Sequence, residues 1–198
     1  MSVKRILLSF LTLFVLFFHF GCSTTAIREK RIESYLMQGV ISAKEGEYEK
    51  ALALYEAALE EFSDNEKLLY NKALTEYLAK KRAEALKTFV YLDSLANHSN
   101  ENYLKAIVQI AKEAENYPLA IDSYYKMVSL NPQKWNNREA LISLLEKEEK
   151  YLDAYLVAKE AFDLQLYSKD LLLKLSELEK KTKKGDGLSY LLLLDYYY

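Results

Sequence analysis

The chain is organised by an alanine that recurs at a nearly constant interval. Successive members of this series lie 34 or 35 residues apart: Ala51, Ala85, Ala120 and Ala154. An aromatic residue follows four positions after each of the first three, at Tyr55, Phe89 and Tyr124, whereas Ala158 follows the fourth. A period between 20 and 50 residues indicates a repeat array. The alternative is a helical bundle in which the period has no structural meaning.

Each alanine lies in a segment with helical periodicity. In "GEYEKALALYEAALEEF", residues 46–62, the positions of Tyr48, Ala51, Tyr55 and Ala58 advance by three, four and three, which places them on one helical face. Polar breaks close the units: "SDN" at Ser63, "NHSN" at Asn97, "NPQ" at Asn131 and "YSKD" at Tyr167. One such helix pair cannot bury its apolar face alone, so stacking of neighbouring pairs is predicted.

This pattern resembles the tetratricopeptide repeat, a helix–turn–helix unit with a small residue early in helix A and an alanine and an aromatic residue in helix B. Gly39 is the small residue of helix A in the first unit. The same position holds Ala73, Val108 and Ile142 in the second, third and fourth units, and Arg138 replaces the large apolar residue that usually opens helix A in the fourth. The resemblance implies an all-α, right-handed α-solenoid of about four and a half units. The predicted units are 32–65, 66–99, 101–134, 135–168 and a partial unit, 169–198. The predicted packing residues are Gly39, Ala51, Tyr55, Ala85, Phe89, Ala120, Tyr124 and Ala154.

The resemblance also implies where a partner binds, because helix A lines the concave groove of such solenoids. The groove residues carried over in this way are Leu36, Val40, Tyr70, Asn71, Leu74, Tyr77, Lys105 and Gln109, followed by Lys112, Glu139, Ser143 and Glu146. The groove is thus expected to be apolar and aromatic in its N-terminal half and charged in its C-terminal half. Leu36 and Val40 occupy two places of the set that clamps a terminal carboxylate in some relatives, so an apolar helix or peptide is favoured. Alternatively, residues 26–33 or ordinary helix packing cover this surface.

The N-terminus has the anatomy of an export signal. Lys4 and Arg5 precede an apolar run from Ile6 to Phe18, which is shorter than the roughly 18 residues that a spanning helix needs. The only cysteine, Cys22, follows Gly21 as in a bacterial lipobox, although His19 and Phe20 depart from that motif. Residues 1–21 are therefore predicted to be a signal peptide and residues 22–31 a tether lipidated at Cys22. The alternatives are an uncleaved anchor helix and cleavage after Ala26.

Catalytic and cofactor chemistry has little support in the sequence. Of 27 basic residues, Lys4 and Arg5 belong to the leader, which leaves 25 against 29 acidic residues, a formal charge of −4. This balance argues against nucleic-acid binding. His98 is the one histidine beyond the leader, so neither a cysteine–histidine pair nor a histidine cluster for zinc is available. "GDG" at Gly185 follows no predicted strand, so no phosphate loop is expected. The sequence predicts no enzyme, metal or cofactor, and a solvated turn position for His98.

These features together predict a lipid-anchored scaffold on the periplasmic face of a bacterial envelope. It would bind a peptide or helix of an envelope protein, by analogy within outer-membrane or pilus assembly, and Ser23 favours the outer membrane. The alternatives are a solute-transporter accessory that holds a small apolar molecule and an accessory of a peptidoglycan enzyme.

The C-terminal stretch carries three further predictions. In "LSYLLLLDYYY" Asp195 is the only charged residue, and if the fourth unit does not bury all of Leu191, Leu192 and Leu194, they form an apolar patch for a partner, a second copy or a membrane. Gly185 is predicted to be the left-handed cap of the preceding helix, and Leu188, 34 residues after Ala154, is expected to continue the alanine series. The basic residues Lys180, Lys181, Lys183 and Lys184 are expected to complement the helix dipole or, alternatively, to contact anionic lipid.

Overall fold

The computed structural model describes residues 25–197, and every regular element in that range is a helix. Residues 25–44 form α1. The remaining helices are α2 Tyr48–Glu61, α3 Glu66–Leu78, α4 Arg82–Leu95, α5 Glu101–Glu113, α6 Tyr117–Leu130, α7 Trp135–Lys147, α8 Tyr151–Asp163, α9 Lys169–Lys181 and α10 Leu188–Tyr197. The chain divides after Thr88 into two compact units. Residues 25–31, assigned to a tether from the sequence, are helical and exposed.

Three of the four polar breaks between hairpins supply a side-chain helix cap, whereas Lys134, at the N-cap of α7, does not. The side-chain oxygens of Asn65, Asn100 and Ser168 accept hydrogen bonds from backbone N–H groups in the first turns of α3, α5 and α9, at 3.0, 3.0 and 3.1 Å. Asn116 caps α6 in the same way, through the N–H of Leu119 at 3.3 Å. These contacts satisfy amides that a helix leaves without an internal partner.

The turns inside the hairpins repeat as regularly as the alanines. Each contains one residue with a left-handed backbone, namely Gly46 (φ +82°), Lys80 (φ +63°), Glu115 (φ +55°) and Glu149 (φ +57°). The next residue donates its N–H to a carbonyl in the last turn of helix A, at 2.8 to 2.9 Å in all four turns. This arrangement is a Schellman cap. Only the first turn uses glycine, and for the other residues the conformation costs about 1 kcal/mol each.

In the first unit, α1 and α2 meet at Gly39. A Cβ atom at this position would lie 2.4 Å from the Tyr55 ring, so only glycine allows the ring to pack there. Tyr55, Ala51 and Ala58 are fully buried, and they pack with Phe62 at the C-cap of α2 and with Leu68 in the first turn of α3. Ala85 is also fully buried, and Phe89 on the other side of the division is 1% exposed.

In the second unit, each helix from α5 to α9 packs on the next one along the chain. Ala120 and Ala154 are fully buried in a continuous core that runs from Ala111 to Tyr190. The fourth large-residue position is filled by Ala158, which is also fully buried. The described part of the chain is therefore a succession of antiparallel helical hairpins that keep the alanines at their contacts.

Two of the tyrosines that open B helices are half-buried platforms for lysines. Lys147, at the end of α7, lies with its Nζ 4.0 Å from the ring centre of Tyr117 on α6. One repeat later, Lys181 of α9 lies 4.9 Å from the ring of Tyr151 on α8. Such cation–π contacts contribute about 0.5 to 1 kcal/mol at exposed sites. Both tyrosines therefore contact a lysine of the next helix while remaining partly exposed.

The last hairpin departs from the repeat. α10 begins at Leu188, three residues later than a 34-residue step from Tyr151 would place it, so Leu188 does not continue the alanine series and is 53% exposed. The predicted cap at Gly185 is wrong: α9 ends at Lys181, and Lys183 has the left-handed backbone, with φ +56°. The insertion "GDG" forms a longer turn in which the Glu179 carboxylate accepts the N–H of Gly187 at 2.9 Å.

Candidate functional site

The second unit contains a groove of about 480 Å³ among α5, α6 and α7, here called the α5–α7 groove. Its apolar lining comes from Val108, Tyr124, Met127 and Ala140. Its polar lining comes from Lys105, Gln109, Lys112, Glu113, Asn136 and Asn137. An apolar floor with a few polar groups at its edge is typical of binding sites.

Helix geometry determines this lining. Lys105, Gln109 and Lys112 stand at positions i, i+4 and i+7 of α5, and therefore on one face. Asn137 is 5% exposed and donates its side-chain N–H to the Met127 carbonyl at 3.4 Å, which ties α7 to α6 beneath the groove. Val108 and Met127 are buried in a small cluster with Leu104. The floor is thus held by packing, whereas the lysines project from its edge.

The electrostatics of the groove are mixed, with two lysines and one carboxylate in the lining. The Lys105 ammonium lies 3.3 Å from Glu101, and the Lys134 ammonium lies 2.6 Å from the same carboxyl. The hydrogen bond from Lys134, helped by Lys105, lowers the pKa of Glu101 against the opposing effect of burial. Gln109 donates to Glu113 at 3.4 Å. The lining offers ammonium and amide donors over an apolar floor, which can bind a ligand through hydrogen bonds and apolar contact.

The first unit contains a second groove, of about 550 Å³, between α1 and the turn from α2 to α3. It is lined by Glu29, Ile32, Glu33, Leu36, Asp64, Asn65, Glu66 and Lys67. Four carboxylates against one lysine make this groove acidic. It is therefore suited to a basic segment rather than to the apolar one that the sequence predicts for the N-terminal half.

The predicted groove residues are distributed over several surfaces. Lys105 and Gln109 line the α5–α7 groove with Lys112, and Leu36 lines the acidic groove. The others line neither: Val40, Tyr70, Asn71 and Tyr77 are half-buried, Leu74 is 37% exposed, and Glu139 and Ser143 are exposed. Glu146 instead pairs with Lys174 and Lys181 of α9, at 2.9 and 3.4 Å.

Sequence reasoning assigned three of the ten residues that line the α5–α7 groove: Lys105, Gln109 and Lys112. Asn136 and Ala140 lie on α7 next to the face that was predicted, and the weak repeat signature of that helix gave no signal for them. Val108 and Tyr124 were recognised only as repeat positions. The expectation of a charged C-terminal half therefore overlooked the apolar floor.

Two other predicted features have a defined environment. His98, expected to be solvated, has a half-exposed side chain whose Nδ1 lies 2.6 Å from the buried carboxylate of Asp93. Asp93 also lies 3.5 Å from the Lys126 ammonium, so His98 is tied into the second unit.

On α10, Leu192 is 63% exposed, whereas Leu191 and Leu194 are half-buried.

The predicted signal peptide and the predicted lipidation site, Cys22, lie outside the described residues. Between residues 25 and 197, none of the helices is long and apolar enough to cross a bilayer. The same part of the chain has no group of three or more histidine, cysteine or acidic side chains placed to hold a metal ion.

These observations define the class of the protein as an all-α array of stacked helical hairpins with grooves between its helices. No protein-family model matches the chain, and no curated protein matches it. Solved structures do match. MamA AMB-1 is 15% identical over 85% of this chain and 91% of its own, with a TM-score of 0.56.

Two further solved structures match the chain. A tetratricopeptide repeat protein from Parabacteroides merdae ATCC 43184 is 17% identical over 82% of this chain and 63% of its own, with a TM-score of 0.51. A chain in the structure of Naa15/Naa10 bound to HypK-THB is 19% identical over 79% of this chain, with a TM-score of 0.64, and the match spans 25% of that longer chain. Identities this low establish the fold alone. The chain has the tetratricopeptide-type fold that its alanine period predicts.

Proposed function

We propose that this protein is an interaction scaffold that holds a segment of another protein in the α5–α7 groove. The observation that carries the proposal is the combination of an apolar floor with Lys105 and Lys112 at the edge of one groove. The two lysines are seven residues apart on α5, about 10 Å along the helix axis. A peptide or helix with an apolar anchor and a nearby carboxylate would fit both features.

A small apolar molecule is the less favoured ligand. The groove volume is within the range of small-molecule sites. Such a ligand would, however, remove water from the Lys112 ammonium and from the Lys105 ammonium, which lies 3.3 Å from Glu101, without offering either of them a carboxylate, and the desolvation of charged groups is costly. A segment that carries its own carboxylate avoids this cost.

Photocrosslinking in native membranes tests the scaffold. A photoreactive residue at Asn136, at the edge of the groove, is expected to capture a discrete protein, and the same residue at exposed Tyr125 of α6, outside the groove lining, serves as the control. Charge reversal by Lys105→Glu with Lys112→Glu is expected to reduce capture about tenfold, because two charge-assisted contacts are lost. Recovery of a small molecule with no protein would favour the transporter accessory. Equal capture at both positions would refute binding in this groove.

We also propose that lipid on Cys22 anchors the scaffold in the bacterial envelope, on the periplasmic face. The residue after the cysteine, Ser23, favours the outer membrane. Support comes from the apolar run and from Gly21–Cys22 in the sequence. Stable anchoring requires more than one acyl chain. Labelled palmitate is expected to be incorporated into the wild-type protein but not into Cys22→Ser, and sucrose-gradient fractionation reports the membrane. Incorporation that survives the substitution would refute the site.

Self-association through α10 is proposed as a second contact. Leu188, Leu192 and Tyr196 are 53%, 63% and 81% exposed at four-residue steps along one face of that helix. Sedimentation of Leu192→Glu at a lower mass than wild type would support a homo-oligomer. An unchanged mass would leave α10 without this role.

A further inference from the structure

The outward face of α1 is apolar although no described residue covers it. Ile27, Met37 and Ile41 are 59%, 64% and 49% exposed. Together with Lys30 and Ser34 they advance along the helix by three and four residues, which places all five on one side. The opposite side carries Ile32, Gly39 and Ser42, which are buried. α1 therefore has one face in the core and a second apolar face toward solvent.

Two basic residues accompany this outward face. Lys30 lies within it, Lys44 lies beside Met37 and Ile41, and both are exposed. Glu33, four residues before Met37, lies at the edge of the face and, with Glu29, also lines the acidic groove. Basic residues within and beside an apolar helix face are characteristic of helices that lie at the surface of anionic bilayers.

The position of α1 in the chain points to the same partner. Cys22 lies three residues before the described start of the helix, and the apolar run from Ile6 to Phe18 precedes it. The 20 helical residues from 25 to 44 are about 30 Å long. A chain that enters a bilayer at or before Cys22 therefore begins α1 close to the lipid surface, and the outward face contacts lipid when the helix axis lies along that surface.

We propose that the outward face of α1 lies on a membrane surface that contains anionic lipid. Ile27, Met37 and Ile41 enter the boundary between headgroups and acyl chains, and the ammonium groups of Lys30 and Lys44 contact lipid phosphates. The inference rests on the proposed anchor at Cys22, because three apolar side chains bind weakly unless the helix is held near the bilayer. Tethering supplies the necessary effective concentration.

Lipid crosslinking tests this contact in the full-length protein in native membranes. A photoreactive residue replaces Met37, and the matched control replaces Leu156 of α8, which is 55% exposed. Adducts with lipid are expected at position 37, at least about tenfold above position 156. Adducts with a second copy or another protein at position 37, or equal lipid adducts at both positions, would overturn the inference.

A second readout separates this inference from the anchor. Palmitate incorporation is measured in the same samples. A palmitoylated protein without lipid adducts at position 37 overturns the α1 contact and leaves the anchor intact. Lipid adducts without palmitate support the α1 contact and refute the anchor at Cys22. Absence of both signals overturns both.

The role of charge is tested by reversal. Lys30→Glu with Lys44→Glu is expected to reduce lipid adducts at position 37 about fivefold or more, since each basic residue near an anionic surface contributes measurably to binding. Full-length protein reconstituted in phosphatidylcholine vesicles, with or without phosphatidylglycerol, provides the comparison. The reduction is expected only with phosphatidylglycerol. An equal yield of lipid adducts in the two vesicles would refute the anionic-lipid part of the inference.

Discussion

The guanidinium of Arg138 provides a sharp test of what stabilises the second unit. Arg138 is fully buried on α7, at the position where the repeat usually has an apolar residue. Its Nε donates to the Pro132 carbonyl at 3.0 Å, and its Nη1 donates to Glu160 of α8 at 2.9 Å. Its Nη2 is buried without a hydrogen-bond partner in the described part of the chain. The charge is therefore incompletely compensated.

Two substitutions are expected to have unequal effects. Removal of one partner from a buried ion pair costs about 3 to 5 kcal/mol, because a buried charge is left behind. Glu160 is 60% exposed, so water compensates in part, and we expect Glu160→Ala to cost about 1 to 2 kcal/mol. Arg138→Met removes the charge itself, leaves Glu160 hydrated and deprives only the Pro132 carbonyl of a donor. We expect it to lie within about 1 kcal/mol of wild type.

Urea unfolding followed by circular dichroism measures both variants, and Glu139→Ala on exposed α7 surface is the control for helix propensity. The double variant Arg138→Met with Glu160→Ala should have nearly the same free energy of unfolding as Arg138→Met alone, because Glu160 has no charge to neutralise once the Arg138 guanidinium is removed. If Arg138→Met lowers the free energy of unfolding as much as Glu160→Ala does, or more, that result refutes the reasoning. In that case the buried guanidinium is a net source of stability.

Two further predictions concern packing and pH. Gly39→Ala should lower the free energy of unfolding by about 1 to 3 kcal/mol, because the added Cβ would overlap the Tyr55 ring. Ala57→Ser on the exposed surface of α2 is the control and should be nearly neutral. Similar urea midpoints for the two variants would contradict the close contact. The lowered pKa of Glu101 means that its ion pairs stabilise the fold above the pKa of the unfolded carboxyl, about 4.3, and lose this effect as the pH falls through the lower folded value. Glu101→Gln should therefore flatten the pH dependence of the urea midpoint in that acidic range, and an unchanged slope would show that the pairing with Lys134 is energetically silent.

The repeat could be predicted from the sequence because packing constrains it at fixed positions. Ala51, Ala85, Ala120 and Ala154 are all fully buried, since a larger side chain at any of them would separate neighbouring helices. The left-handed turn residues repeat with equal regularity, yet they could not be predicted from residue type. Lysine and glutamate occupy three of the four turns, and their conformation is imposed by the Schellman hydrogen bonds rather than by their own preference.

The end of the array and the α5–α7 groove were harder to predict for a related reason. The six-residue turn before α10 shifts that helix by three residues, and no short-range signal distinguishes a shifted helix from one that keeps the period. Positions at the edge of the groove, unlike those of its floor, carry no packing constraint, so a family pattern assigns them only approximately. One residue along α7 separates exposed Glu139 from Ala140 in the groove lining.

This separation of constraints has a functional consequence. Residues that follow the period, such as Ala120, determine whether the hairpins stack, and those that depart from it, such as Lys105 and Asn136, are free to select a ligand. The acidic groove of the first unit and the lysine-bearing groove of the second unit each lie beside A helices, and their different charges come from exposed side chains such as Glu33 and Lys105. Substitutions at the groove edges should therefore change the binding specificity of this protein without altering its stability. The groove edges are exposed, whereas the alanines that hold the helices together are buried.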